Sequence, residues 1–166
     1  LSHESFEPNL TPLRTSPLSW FLNLETLFER AVRDTLRDAL GSNGSVLSGR
    51  VSPRPIFPPR SDKFRANPDL VVRRHVGGGP FVGDVKYRHW DGLPSASVVY
   101  QLLVHAAAFD SKDAFLVFPH DSFSAHLVGS AVTGASLRVY GLDVRQLDTH
   151  VRRLLADLDA ALVLGD

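Results

Sequence analysis

Two apolar segments near the middle of the chain carry charged residues at positions where a β-strand would bury them. The segments cover residues 69–74 (DLVVRR) and 81–87 (FVGDVKY), and three glycines lie between them at positions 77–79. Short β-branched and aromatic runs on either side of a glycine turn are typical of a β-hairpin. Because side chains alternate across a strand, Asp84 and Lys86 are expected on one face. A buried charge needs a partner ion, a hydrogen bond or a metal, so this hairpin predicts a functional site.

The charged residues of the hairpin suit a hard metal ion. Mg²⁺ prefers oxygen ligands and usually keeps several waters beside one or two carboxylates. We therefore expect Asp69 and Asp84 to bind Mg²⁺, with Mn²⁺ as a substitute, and the carbonyl of Val85 to add a third oxygen. Lys86 would lie beside the attacking water and a phosphate, or act as a base if the pocket lowered its pKa. An Asp after Pro is also common at turns, and Asp-x-Lys occurs by chance in exposed strands.

The composition indicates one folded domain and excludes several kinds of site. The chain has 166 residues, of which 43% are apolar, which is enough for a core. Its 18 basic and 18 acidic residues cancel, so any DNA affinity must come from a local patch. The lack of cysteine excludes disulfides and cysteine-ligated zinc. No apolar run reaches the ~20 residues that cross a bilayer. We expect a cytoplasmic protein that does not contact membranes.

Apolar periodicity predicts a mixed α/β fold. Three helices are expected, over residues 23–40, 96–109 and 144–162. Five strands are expected, over residues 69–74, 81–87, 114–118, 125–130 and 136–141. Asn23 is the predicted N-cap of the first helix and Gly41 its stop. Residues 41–49 are predicted to form a loop, and the proline-rich residues 53–59 are predicted to lie outside any sheet because proline lacks the amide donor.

The beginning of the chain differs in composition from the rest. Residues 1–18 hold three prolines among polar residues, which predicts a linker or the end of a missing N-terminal domain. The chain begins at Leu1 and contains no methionine, which indicates a piece of a longer product. Residues 19–166 are the predicted catalytic domain.

The motifs resemble those of the PD-(D/E)xK nuclease superfamily, which includes restriction endonucleases and RecB-type exonuclease domains. Pro68-Asp69 and Asp84-Val85-Lys86 supply its core pattern. Residues 20–29 (WFLNLETLFE) resemble the opening helix of the McrC family, and residues 99–106 (VYQLLVHA) resemble its Y-Q-x-L-x-Y-A segment. Residues 115–120 (FLVFPH) are similar to the strand that follows. The resemblance covers about residues 20–140.

This resemblance implies a restriction-endonuclease-like core, in which a mixed β-sheet is flanked by helices. It implies a Mg²⁺-dependent endonuclease that hydrolyses the phosphodiester bonds of double-stranded DNA. The chain would be the catalytic domain of a McrC-like subunit in a modification-dependent (type IV) restriction system, a phage defence. A McrB-like AAA+ GTPase would be its partner, bound through the missing N-terminal region.

The resemblance also implies roles for residues outside the hairpin. Glu29 would point from the first helix towards the metal, and Gln101 would support the site from the helix over the sheet. His105 stands where the family usually has tyrosine, a change that catalysis should survive. Glu29 could instead only pair with Arg33, four residues later on a solvated helix face.

Basic residues around the hairpin could contact the DNA backbone, although exposed arginines are also ordinary solvated surface. Those expected to bind DNA are Arg60, Lys63, Arg65, Arg88 and His89. Two other functions stay open. The chain could be an autonomous RecB-like nuclease that needs no motor, or a non-catalytic nuclease-fold module for DNA binding or assembly.

Overall fold

The computed structural model describes residues 23–57, 63–75, 78–90 and 92–164. The predicted linker, residues 1–18, therefore lies outside the described residues. The helices are α1 (Leu24–Leu40), α2 (Ala96–Phe109) and α3 (Leu147–Leu164). The strands are β1 (Gly44–Leu47), β2 (Arg54–Pro55), β3 (Arg65–Ala66), β4 (Leu70–Arg74), β5 (Phe81–Val85), β6 (Asp113–Pro119), β7 (Ser124–Ser130) and β8 (Ser136–Leu142). None of the described helices is both long and apolar enough to cross a bilayer.

Six of the strands form one mixed sheet, in the order β1-β4-β5-β6-β8-β7. β5 is parallel to β6, and β6 is parallel to β8, whereas the other neighbours are antiparallel. The predicted hairpin is present, with Leu70 opposite Gly83 and Val72 opposite Phe81. Because β5 has a neighbour on each side, all five of its residues are buried. The mixed α/β core with flanking helices is confirmed.

Helices cover both faces of the sheet and divide the interior into two cores. The first core lies between the sheet and helices α1 and α3, and it includes Phe81 and Val85 of β5. The second core lies between the sheet and α2, and it includes Val82. Because side chains alternate along a strand, Asp84 shares the face of Val82 and points towards α2.

The first helix begins and ends where the sequence predicts. The Oδ1 atom of Asn23 accepts a hydrogen bond from the backbone N–H of Thr26 at 3.1 Å, which satisfies one of the free donors of the first turn. At the other end Gly41 adopts φ 50°, and its N–H donates to the carbonyl of Arg37. Glycine favours this left-handed conformation because it has no Cβ.

Two segments predicted to lie outside the sheet contain strands, so both predictions were wrong. Within residues 41–49, β1 pairs with β4 and places Val46 opposite Val72. Its four residues are too few to show a clear alternation of apolar and polar side chains. They form a strand because they pair with the outer edge of β4. In the proline-rich segment β2 pairs with β3 in a separate two-stranded ribbon. Pro55 has no N–H to donate, but the N–H of the next residue, Ile56, donates to the carbonyl of Phe64 at 2.9 Å and holds the two strands together.

The ends of two elements also differ from expectation. β5 ends at Val85, so Lys86 lies just beyond it, although its N–H still donates to the carbonyl of Val117 at 2.9 Å. The last helix begins at Leu147, after a 3₁₀ turn over Val144–Gln146. Asp143 caps that turn by accepting from the N–H of Arg145.

Gly83 leaves room for an aromatic ring of the neighbouring strand. A Cβ atom at this position would lie 2.3 Å from the ring of Phe115, which is its partner on β6 and is fully buried. We expect Gly83→Ala to lower the free energy of unfolding by ~1–3 kcal/mol, the usual cost of overpacking. Urea unfolding measures this loss. Gly79→Ala is the control, since its Cβ would meet only the carbonyl oxygen of Asp110, at 3.7 Å. Equal losses in the two variants would contradict the expected effect.

Candidate active site

The two acids of the hairpin meet near the end of β5. Asp69 directly precedes β4, and Asp84 is the fourth residue of β5. Their side chains are buried, with only 7% of Asp69 and 3% of Asp84 exposed. The Oδ2 atom of Asp69 accepts a hydrogen bond from the backbone N–H of Val85 at 2.9 Å. This bond holds the carboxyl group of Asp69 across the hairpin, beside that of Asp84.

The proximity of these acids changes the protonation of Asp69. The pKa of Asp69 is raised from 3.8 to about 7, chiefly by burial and then by the hydrogen bond and charge of Asp84. The N–H of Val85 and the charge of Lys86 oppose this shift. Asp69 therefore keeps its proton to near neutral pH. A divalent cation would remove the repulsion and take the place of the proton.

The donors at the site fit a hard cation that keeps part of its water. Two carboxylates and a backbone carbonyl are the kinds of ligand that Mg²⁺ prefers. Over residues 23–57, 63–75, 78–90 and 92–164, no three His, Cys, Asp or Glu side chains form a metal-binding cluster. Asp69 and Asp84 would supply two side-chain ligands, and the Val85 carbonyl and waters would add others.

Lys86 lies against Asp84. Its Nζ atom is 2.6 Å from Oδ2 of Asp84, and 22% of its side chain is exposed. Burial acts to lower the pKa of Lys86, but the hydrogen bond and charge of Asp84 outweigh it and raise that pKa above its usual value. The contact with Asp84 acts against a lowered pKa of Lys86, and the role of this residue as a base stays a prediction. In this contact the side chain is positively charged.

Glu29 reaches the edge of the site but is held by two arginines. Its Oε1 accepts from Nη1 of Arg33 at 2.8 Å, the pair that the spacing along the helix allowed. Its Oε2 lies 3.4 Å from Nη2 of Arg50, which is also 3.7 Å from Oδ1 of Asp69. Arg50 thus stands between the carboxyl groups of Glu29 and Asp69. A direct role of Glu29 at the metal stays a prediction, and it would require Arg50 to move.

Sequence reasoning did not identify Arg50 as a site residue. Close packing of the preceding residue brings it there, because the N–H of Gly49 donates to the carbonyl of Pro68 at 2.8 Å. A Cβ atom on Gly49 would lie 2.3 Å from Pro68. The one signal available was a glycine before an arginine, inside a segment predicted to be a loop.

His105 lies within the site on the α2 side. It is 6% exposed, and burial lowers its pKa. The charge of Asp69 opposes that shift and the charge of Lys86 adds to it, so the imidazole lies within electrostatic reach of both. Among the described residues, neither ring nitrogen has a hydrogen-bond partner. The resemblance to the McrC family identified His105 as a replacement for tyrosine, but the sequence did not predict that its side chain is buried.

The other predicted site residues that the structure describes are exposed. Gln101 is exposed and stands one helical turn before His105 on α2. Lys63, Arg65, Arg88 and His89 are exposed, whereas Arg60 lies outside the described residues. The guanidinium of Arg88 sits 5.7 Å from the centre of the Phe118 ring. The roles of these residues in DNA binding stay predictions.

Comparison with known proteins shows which family this chain belongs to. The model of a family described as "McrBC 5-methylcytosine restriction system component" matches residues 3–119. The chain belongs to this McrBC family. The match spans α1, the hairpin and α2, and so confirms the resemblance that the motifs carried.

A solved structure shares the fold of this McrBC-family chain. It is described as a half-complex from a tetradecameric assembly of Thermococcus gammatolerans McrB AAA+ hexamers with bound McrC. The two chains are 21% identical and superpose with a TM-score of 0.60. The alignment covers 81% of this chain and 33% of that chain, so this chain spans about a third of its relative's length. Among proteins of curated function, none matches the sequence.

Proposed function

We propose that this McrBC-family chain is the catalytic domain of a Mg²⁺-dependent DNA endonuclease. The observation that supports the proposal is the convergence of Asp69, Asp84 and Lys86 beside the end of β5. Two buried acids raise each other's energy unless a cation lies between them. The adjacent ammonium group suits a reaction in which negative charge develops on a phosphate.

Each of these groups has a distinct part in the proposed reaction. Asp69, Asp84 and the Val85 carbonyl would hold a Mg²⁺ ion, which when bound supplies positive charge to the phosphate and lowers the pKa of a water. The N–H of Val85 fixes the orientation of Asp69. Lys86 would contact an oxygen of the scissile phosphate and stabilise the charge that develops there. Its pairing with Asp84 keeps the amine protonated.

We further propose that an AAA+ partner of the McrB type delivers the DNA. The structure that shares this fold contains McrB hexamers with bound McrC. This chain covers 33% of that relative, and we propose that a region outside the covered part contacts the motor. In a modification-dependent system the choice of methylated DNA would lie with the partner, since Asp69, Asp84 and Lys86 offer no base recognition.

Plasmid cleavage tests this proposal. The full-length protein and its AAA+ partner are mixed with methylated supercoiled plasmid, GTP and Mg²⁺, and linear product is expected with Mg²⁺ but not with EDTA. Equal cutting by the full-length chain without partner or nucleotide would favour an autonomous RecB-like nuclease. DNA binding without cutting in Mg²⁺ or Mn²⁺ would favour a non-catalytic module.

Metal binding should depend on pH through Asp69. Its pKa is raised to about 7, so below that pH the cation must displace a proton. We expect the Mg²⁺ affinity to fall about tenfold per pH unit below about pH 7 and to level off above it. Calorimetric titrations of Mg²⁺ from about pH 5.5 to about pH 8 measure this.

The same raised pKa has the opposite consequence for the metal-free protein. A carboxyl group that binds its proton more tightly in the folded state stabilises folding at low pH, and that contribution is lost as pH rises towards about 7. In EDTA, the melting temperature should therefore carry an Asp69 contribution that falls over this range. A Mg²⁺ affinity that does not change with pH would contradict both expectations.

A further inference from the structure

An open pocket next to the candidate site is lined by two arginines and two serines, together with apolar residues. It lies between β1, β4 and the C-terminal end of α2, and its lining residues include no acid. The residues that matter here are Ser48, Ser52, Arg54, Val71, Arg73 and Phe109. Such a lining has the charge and the hydrogen-bond donors that an anion requires.

The two arginines of this pocket differ from several other arginines that the structure describes, which pair with acids. Arg33, Arg74 and Arg138 each form an ion pair with a carboxylate. In the part of the chain that the structure describes, neither Arg54 nor Arg73 forms such a pair. The guanidinium of Arg54 is held in place 5.0 Å from the centre of the Phe109 ring. The pocket thus carries uncompensated positive charge.

The pocket continues the candidate site along one face of the sheet. Val71 belongs to the core under α2, and alternation along β4 places Asp69 and Arg73 on the same face. Four residues of strand span about 13 Å, or about four base pairs of DNA rise. At the other side, Gly49 lines the pocket, and the next residue, Arg50, contacts Asp69. DNA with its scissile phosphate at Asp84 would pass over this pocket.

We propose that this pocket binds a backbone phosphate of the DNA substrate, a few nucleotides from the scissile one. The inference rests on the proposed function and names a second contact of the same site. Arg54 and Arg73 would supply guanidinium donors, which match the geometry of a phosphate. The hydroxyl of Ser48 already accepts the N–H of Arg50 at 3.3 Å, so its own hydrogen can point to the phosphate. Such a contact positions the DNA and carries no sequence preference.

A double substitution in the full-length protein with its partner tests the phosphate pocket. Arg54→Gln with Arg73→Gln removes both charges, and Arg73→Gln alone is a milder variant because this side chain is exposed. The control is Arg152→Gln, an exposed arginine paired with Asp148 on α3, beyond the other face of the sheet. Binding to a fluorescent DNA duplex is measured by anisotropy in Ca²⁺, over a range of salt concentrations.

We expect the double variant to bind DNA about tenfold more weakly, with a salt slope smaller by about 1, since the pocket binds one phosphate and each phosphate contact contributes about 0.9. The single Arg73→Gln variant should lose only part of that slope, because Arg54 still contacts the phosphate, and lysine at both positions should restore most of it. Arg152→Gln should bind as the wild type does.

The two proposals fail in different ways. Equal affinities and slopes for the double variant, Arg73→Gln and Arg152→Gln would overturn the phosphate pocket, even if the wild type cuts DNA. Weaker binding of the double variant, together with no Mg²⁺-dependent cutting by the wild type, would support the pocket and overturn the nuclease. A wild type that binds no DNA would overturn both.

Discussion

Replacing Asp84 with asparagine is expected to lower DNA cutting at least ~10³-fold. The substitution removes an anionic oxygen from the proposed metal site, and metal ions contribute several kcal/mol to transition-state stabilisation. A loss of ~4 kcal/mol corresponds to ~10³ in rate. Single-turnover cleavage of plasmid by the assembled complex measures the effect.

The protein should nevertheless stay folded in this variant. Burial and then Asp84 raise the pKa of Asp69, so removing the charge of Asp84 lowers that pKa and favours Asp69 as the counter-ion of Lys86. We therefore expect a melting temperature close to that of the wild type. Asp148→Asn is the matched control, because Asp148 is an exposed acid on α3 that pairs only with Arg152 among its described contacts. If the two variants cut at the same rate, Asp84 has no part in catalysis.

Replacing Lys86 with methionine is expected to lower cutting ~10²–10³-fold, the range found when one group that stabilises transition-state charge is removed. Methionine keeps the apolar stem and removes the ammonium that lies 2.6 Å from Asp84. Because a cation leaves the site, the affinity for Mn²⁺ should stay the same or rise. Titration of Mn²⁺ followed by electron paramagnetic resonance, beside the cleavage rate, separates the two effects.

Lys86→Arg provides the comparison for charge. It keeps the positive charge but not the length or the point-like shape of the ammonium, so partial activity is expected. If Lys86→Met lost Mn²⁺ binding together with activity, Lys86 would be a residue that maintains the site rather than one that acts on the phosphate. Full activity of Lys86→Met would contradict any role in the reaction.

The features that the sequence predicted well depend on neighbours along the chain. The N-cap of Asn23 needs only the amide of Thr26, three residues later. The contact between Asp84 and Lys86 follows from their spacing of two residues, and the pairing of β4 with β5 explains why Asp69 meets them. These local rules were enough to find the two acids and the lysine.

The features that the sequence did not predict depend on contacts with residues far along the chain. β1 is a strand because β4 lies beside it, and its own four residues do not specify one. Arg50 contacts Glu29 across 21 residues of sequence, in a segment with no periodic pattern. The burial of His105 follows from how α2 packs over the sheet. A local pattern cannot report such contacts, because tertiary packing decides them.

The central claim is that Asp69 and Asp84 share one divalent cation. Crystals of the full-length protein grown with Mn²⁺ would show this directly, because anomalous scattering locates the ion. We predict one strong peak bonded to the carboxylates of Asp69 and Asp84 and to the carbonyl of Val85, at about 2.1 Å from its oxygen ligands. Ordered carboxylates of Asp69 and Asp84 with no peak between them, at a Mn²⁺ concentration that supports cutting, would contradict the claim.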